Sequence, residues 1–327
     1  MKQSFRYHCL PLSIILVAVA SFAQHLDSYS PFFAACSLSS DTCHYIALRS
    51  FRQAGVRGLF IVKPATLATQ IVPADSACCV PASLADLRGL FAQTAYAAAL
   101  DSSEKSERRV QDAGLVRGSP GRKGIDLTAD LCPSRLPLAR DFFTGLIDQF
   151  LPTERPVPVA LAVTGVWMNT HQDDLEWLVD LGKKGDLSIT WINHSYNHLI
   201  SDSVPVEKNF LLRKGTNLEA EVLKTEQKMI ESGITPSVFF RFPGLVSDSL
   251  VFAKVTSFGL IPVGSDAWLA KNELPKNGSI VLVHANGNEP YGIKQFFKLI
   301  RQERDSISAG KWMLYDLRES VAENEKK

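Results

Sequence analysis

Downstream of Gly124 the apolar positions recur in two alternating rhythms. Short runs rich in β-branched and aromatic side chains predict strands over 125–130, 157–164, 187–192, 238–241, 260–263, 280–284 and 312–317. Between them, apolar residues three and four apart predict helices over 136–150, 172–184, 217–233, 248–258 and 293–308. Strands alternating with helices argue a parallel α/β architecture, barrel-like because no glycine-rich phosphate loop follows any strand. Upstream the pattern is less regular. An apolar run, 58–62, and an alanine-rich helical stretch, 87–100, precede a charged segment, 102–109. Residues 114–124 carry four glycines, a proline and several cations, the composition of a linker. The expected organisation is an N-terminal extension with linker over 24–118 and a barrel domain over 119–327.

The first residues stand apart from both. Lys2 and Arg6 precede a short apolar segment, 10–20, and Ser21-Phe22-Ala23 offers small residues where a signal peptidase reads. Residues 1–23 therefore read as a secretory signal, too short for a comfortable membrane span, and no other segment is apolar enough to cross a bilayer. The expected product is exported, periplasmic or secreted. Without Lys2 and Arg6, 33 basic residues face 34 acidic ones, so no nucleic-acid-binding field is implied. Export permits disulfides, and Cys36 or Cys43 could pair with Cys78 or Cys79.

The candidate chemistry lies at the predicted strand ends. Asp130 ends the first strand, His194 follows the third, and Arg241 ends the next. Asp266 follows another, and His284 ends the last strand before a helix. In α/β barrels and wound sheets the carboxyl edge of the strands holds the site. His194 and His198 stand four apart, a spacing that lets two imidazoles reach one cation if the chain turns helical there. The set suits metal-assisted hydrolysis of an amide or ester. Asp130 would be the general base and His284 the general acid. Arg241 would hold Asp130 ionised, and Asp266 would raise the proton affinity of His284.

Five segments resemble the five motifs of the polysaccharide deacetylases, the NodB-homology proteins or family 4 carbohydrate esterases. In order they are Thr128-Ala-Asp130-Leu-Cys-Pro133, His194-Ser-Tyr-Asn-His198, Arg241-Phe-Pro243-Gly244, Asp266-Ala-Trp268 and Leu282-Val-His284. The resemblance covers roughly 124–317. It implies a distorted (β/α) barrel with a small N-terminal appendage, and a cell-wall-type hydrolase that removes N-acetyl groups from an N-acetylhexosamine polysaccharide such as peptidoglycan or a chitin-like chain. It implies His194 and His198 as ligands of a divalent metal, zinc by preference, with Trp268, Leu282 and Pro243 at the substrate.

The first motif departs from the family pattern. Leu131 stands where the family has an aspartate ligand, and leucine cannot bind a cation. Asp130 drafted as ligand, a Cys132 thiolate, a loop residue such as His171 or Asp126, or a metal-poor inactive site are the open replacements. Cys132 itself reads first as a buried thiol or disulfide partner. Two alternatives to the N-deacetylase follow: a non-catalytic homologue that binds glycan, and an O-acetyl esterase on the same scaffold.

Overall fold

A computed structural model describes residues 25–38, 41–119 and 121–324, with no side-chain description for 41–43, 323 and 324. The expected signal segment, 1–23, lies outside the described residues. None of the described helices is long and apolar enough to cross a membrane.

The N-terminal extension is an antiparallel sheet of β1 (Leu26–Leu38), β2 (Asp41–Gln53), β3 (Val56–Val62), β4 (Thr69–Pro73) and β5 (Ala77–Pro81), in the order β4-β3-β2-β1-β5. Two short helices follow, α1 (Leu84–Leu90) and α2 (Ala95–Glu104), broken at 91–94 where one helix was expected. Ser83 caps α1 reciprocally with Asp86, satisfying orphan amides at its start. Cys36 and Cys79 face each other across β1 and β5 and form a disulfide. Cys78 and Cys132 are free thiols, the first exposed and the second buried.

The remainder is a curled parallel sheet flanked by helices. Its strands are β6 (Lys123–Leu131), β7 (Val157–Val163), β8 (Leu187–Asn193), β9 (Phe239–Phe240), β10 (Ile261–Pro262), β11 (Ala267–Trp268), β12 (Ile280–His284) and β13 (Trp312–Leu314). Their order is β10-β9-β8-β7-β6-β12-β11, with β13 beside the start of β6. The helices are α3 (Arg140–Phe150), α4 (Gly165–Thr170), α5 (Gln172–Lys183), α6 (Leu218–Glu231), α7 (Ser249–Thr256), α8 (Pro290–Gln302), α9 (Arg304–Ser308) and α10 (Leu317–Asn324). The expected helix over 293–308 is two helices, and the last expected strand ends at Leu314 and gives way to α10.

Period-two alternation divides the core. Ile125, Leu127, Ala129 and Leu131 of β6 join Val157, Val159, Leu161 and Val163 of β7 in one cluster beneath the helices. From the opposite face, Ala160, Ala162, Ile192 and Ile280 pack with Ile46, Leu48, Phe60, Tyr96 and Leu100 of the N-terminal sheet and α2. The extension therefore covers the concave side of the curled sheet. Arg49, fully buried, fastens it there: its Nε and Nη2 donate to Glu226 of α6 at 2.7 and 2.9 Å, and its Nη1 donates to the Phe258 carbonyl at 2.6 Å.

The glycine-rich stretch expected as a linker is a strap. The Leu115 N–H donates to the Pro262 carbonyl at 2.9 Å, the Leu115 carbonyl accepts from the Gly264 N–H at 2.8 Å, and the Val116 carbonyl accepts from the Ile280 N–H at 3.0 Å. Residues 115–116 thus join β10, at one edge of the open sheet, to the start of β12 near the other. The glycines serve close approach: a Cβ at Gly114 would meet the Pro262 carbonyl oxygen at 2.4 Å, and one at Gly118 would meet Ser320 Oγ at 1.9 Å.

Candidate active site

Alternation along β6 also sets the site. Thr128 and Asp130 point away from the helix-covered cluster that holds Leu127, Ala129 and Leu131. Beside Asp130, in parallel register, lies His284 of β12. At the carboxyl end of β8 the chain enters a loop, 194–200, rather than the helix that the spacing of His194 and His198 suggested. Ser195 and His198 adopt left-handed backbone with φ of 68° and 49°, and this brings the two rings to 4.9 Å between centroids. Glu221 of α6 pins the loop by accepting from the Tyr196 and Asn197 amides at 2.9 and 2.8 Å and from Asn197 Nδ2 at 2.6 Å.

These residues line one cavity of about 290 Å³ that includes Asp130, Cys132, His194, His198, Trp268 and His284. Leu282, Gly244 and Leu245 lie on its apolar side with Pro133, Ile200 and Phe210. Pro243, expected at the substrate, is buried and does not line it, because the backbone turns at Gly244 and presents the next two residues instead.

Arg241 is fully buried and acts as the expected partner of Asp130. Its Nη1 donates to Asp130 Oδ1 at 2.9 Å and to Thr128 Oγ1 at 2.6 Å, and its Nη2 donates to the Gly264 carbonyl at 2.9 Å. His194 Nδ1 lies 2.9 Å from the Arg241 carbonyl, a contact that requires the proton on Nδ1. That tautomer leaves the Nε2 lone pair facing the cavity, 3.5 Å from both Cys132 Sγ and Asp130 Oδ2. His198 packs its ring against Phe210 at 5.3 Å, and its buried Nε2 has no hydrogen-bond partner.

Asp266 does not orient His284. It pairs with Arg117 of the strap, and its Oδ1 is buried without a partner. The orienting carboxylate is Glu289, in the loop after β12: its Oε2 lies 2.7 Å from His284 Nδ1 and accepts from Trp268 Nε1 at 2.8 Å. One carboxylate oxygen thereby fixes both the candidate acid and the indole that walls the cavity. Burial works against the charged form of His284, but Cys132 and Glu289 outweigh it and hold the imidazole well above its usual range. Burial likewise opposes ionisation of Cys132, but His198 and His194 outweigh it and hold the thiol well below its usual range.

Two sets of candidate ligand atoms converge here, each mutually within 4.8 Å: Cys132, His194 and His198, and Asp130, Cys132 and His284. Of the other replacements for the missing aspartate, His171 lies away from the cavity, stacked on Trp167 with Nε2 3.0 Å from the Leu136 carbonyl. Asp126 is bonded to Ser320 and does not line the cavity either. Glu289 and Glu221 were missed in the sequence, and the Cys132 thiolate, one of the open replacements there, was read first as a buried thiol or disulfide partner. The available signals were an acid five residues past the last motif histidine and the even phase of Cys132 with Asp130.

No family model matches the sequence. Among solved structures, the chain is similar to a family 4 carbohydrate esterase from Bacillus anthracis, at 21% identity and a TM-score of 0.47, over 68% of this chain and 91% of that one. It is also similar to PdaA of Bacillus subtilis, a family 4 carbohydrate esterase, at 18% identity and a TM-score of 0.46, over 68% and 89%. A third is a family 4 pseudoenzyme from Bacillus anthracis, at 13% identity and a TM-score of 0.43, over 63% and 68%.

Proposed function

We propose that the protein is an exported hydrolase that removes N-acetyl groups from an N-acetylhexosamine polysaccharide, peptidoglycan or a chitin-like chain. The observation that carries this reading is the pairing of Asp130 and His284 on adjacent parallel strands at the mouth of one cavity, each with its own partner. Arg241 donates to Asp130 Oδ1 and orients that side chain to take a proton from water. Glu289 keeps His284 protonated, suited to give that proton to the leaving amine. Five segments that resemble, in order, the motifs of the polysaccharide deacetylases support the same chemistry. Trp268 and Leu282 supply an apolar wall against which an acetyl methyl group can rest.

A divalent cation held by His194 and His198 would polarise the amide carbonyl and the attacking water. The residues fit such a group: His194 Nε2 faces the cavity, and His198 Nε2 is buried without any other partner. Asp130, whose Oδ2 lies 3.5 Å from His194 Nε2, would be placed to accept the proton of the water. Export is part of the proposal. It is supported by the cation-flanked apolar start of the sequence and by the Cys36–Cys79 disulfide, which suits an oxidising compartment.

The test is acetate release from N-acetylated chito-oligosaccharides and peptidoglycan fragments, with zinc and with chelator. The proposal expects turnover that chelation stops and that Asp130→Asn abolishes. Absence of release from every acetylated glycan, or full activity of Asp130→Asn, refutes it. One observation favours a second reading, a glycan-binding homologue without turnover: Leu131, at the family's ligand position, is sealed in the core. Glycan binding measured calorimetrically with no acetate release would select it. Release from O-acetyl but not N-acetyl substrates would select the esterase.

A further inference from the structure

We propose that Cys132 supplies the third protein ligand of the cation site, making it a cysteine–histidine–histidine centre. The inference deepens the reading above and rests on it. Its starting point is the phase of β6. Odd positions 125, 127, 129 and 131 lie in the cluster beneath the helices, so the leucine at 131 faces away from the cavity. The next residue, Cys132, faces into it. The ligand lost at 131 has a replacement one residue later, on the correct face.

The distances suit zinc. A tetrahedral ion with Zn–S of about 2.3 Å and Zn–N of about 2.05 Å holds its sulfur and nitrogen ligands roughly 3.5 Å apart. Cys132 Sγ and His194 Nε2 stand 3.5 Å apart, and His198 joins them with all ligand atoms within 4.8 Å. His198 Nε2 has no hydrogen bond to break in joining them. Cys132 is held in place by its own carbonyl, which accepts from Asn286 Nδ2 at 3.0 Å. It is reduced and buried, while the disulfide of the N-terminal sheet joins Cys36 to Cys79.

Drafting Asp130 instead, through the Oδ2 that lies 3.5 Å from His194 Nε2, would tie up the carboxylate that the proposed reaction uses as general base. A thiolate third ligand leaves Asp130 free for the proton. It also selects a softer ion: thiolate with two imidazoles favours zinc or cobalt over magnesium or manganese.

The experiment uses the full chain, stripped with chelator and titrated with cobalt(II) and, separately, zinc. Wild type is expected to bind one cobalt and to develop an intense near-ultraviolet thiolate-to-cobalt band. Cys132→Ser is expected to lose the band and bind zinc at least about tenfold more weakly. Cys132→Asp is expected to recover zinc affinity without the band. Because the wild-type spectrum is itself diagnostic, a variant that fails to fold does not obstruct the test. Cobalt binding without the band, or unchanged zinc affinity in Cys132→Ser, overturns the thiolate ligand and leaves the two-histidine site standing. If His194→Ala and wild type both bind no metal, the metal-assisted reading fails with it.

Discussion

Placing an aspartate at position 131 is the substitution that family resemblance recommends as a repair, and the structure predicts that it fails. Leu131 is fully buried in the cluster beneath the helices, level with Val163 of β7. Emptying such a position of its aliphatic side chain costs about 2–5 kcal/mol. Setting a carboxylate in the apolar space costs several kcal/mol more, whether it stays ionised or takes up a proton. Leu131→Asp should therefore lose about 5 kcal/mol or more, against a total stability of about 5–15 kcal/mol for a typical domain. Cys132→Asp, facing His194 and His198 in the cavity, should lose only a fraction of that. Urea unfolding of wild type and both variants measures the stabilities, and competition with a chromophoric chelator measures zinc affinity. The reasoning is refuted if Leu131→Asp is as stable as wild type and binds zinc more tightly. Its side chain would then have turned into the cavity, and the alternation along β6 would not govern the site.

Other expectations follow from the same contacts. Glu289→Gln should lower kcat about 10–100-fold with little change in KM, because it removes the charge that orients and protonates His284. Asp266→Asn, which touches only the Arg117 pair, should alter thermal stability rather than kcat. Glu154 is buried beside β13, and burial pushes its carboxyl up to about 7 although the Leu314 amide opposes this. The folded state therefore binds its proton more tightly than the unfolded state, so stability falls as pH rises from about 4.5 to about 7 and then levels. Glu154→Gln keeps the acceptor for Leu314 and removes that dependence. Its stability gain over wild type should grow from near zero at pH 4 to at most about 3 kcal/mol above pH 7, read from urea midpoints across pH. A gain independent of pH would contradict this.

The barrel half of the fold was legible because its strands are buried on both faces and its helices on one, so hydrophobic period alone separates them. The N-terminal half was not. Its long strands mix exposed and buried positions irregularly, and register shifts between Pro31 and Ala34 break any clean alternation. Its partner surface, the concave side of the curled sheet, has no local sequence mark. The strap misled for a physical reason. Glycine enriches both flexible linkers and places where backbone must approach backbone, and composition does not distinguish them. At Gly114 and Gly118 the second cause operates, so the stretch that looked most flexible is the one that joins β10 to β12.

For the candidate site, sequence singled out residues that converge on one cavity and the pairing of Arg241 with Asp130, but not the partner of His284. Asp130, His194, His198, Arg241 and His284 meet in one place because strand ends of a parallel sheet converge, which element order alone predicts. The orienting carboxylate for His284 depends on the path of a five-residue loop, and loop paths have no period to read. Asp266 was the nearer choice by motif and Glu289 by space. Cys132 is the opposite case: its direction was encoded all along in the count from Asp130. Two residues along a strand return to the same face, one residue along does not. A ligand lost at an outward position and regained at the next inward one therefore leaves the geometry of the cavity intact, while the motif, read letter by letter, looks broken.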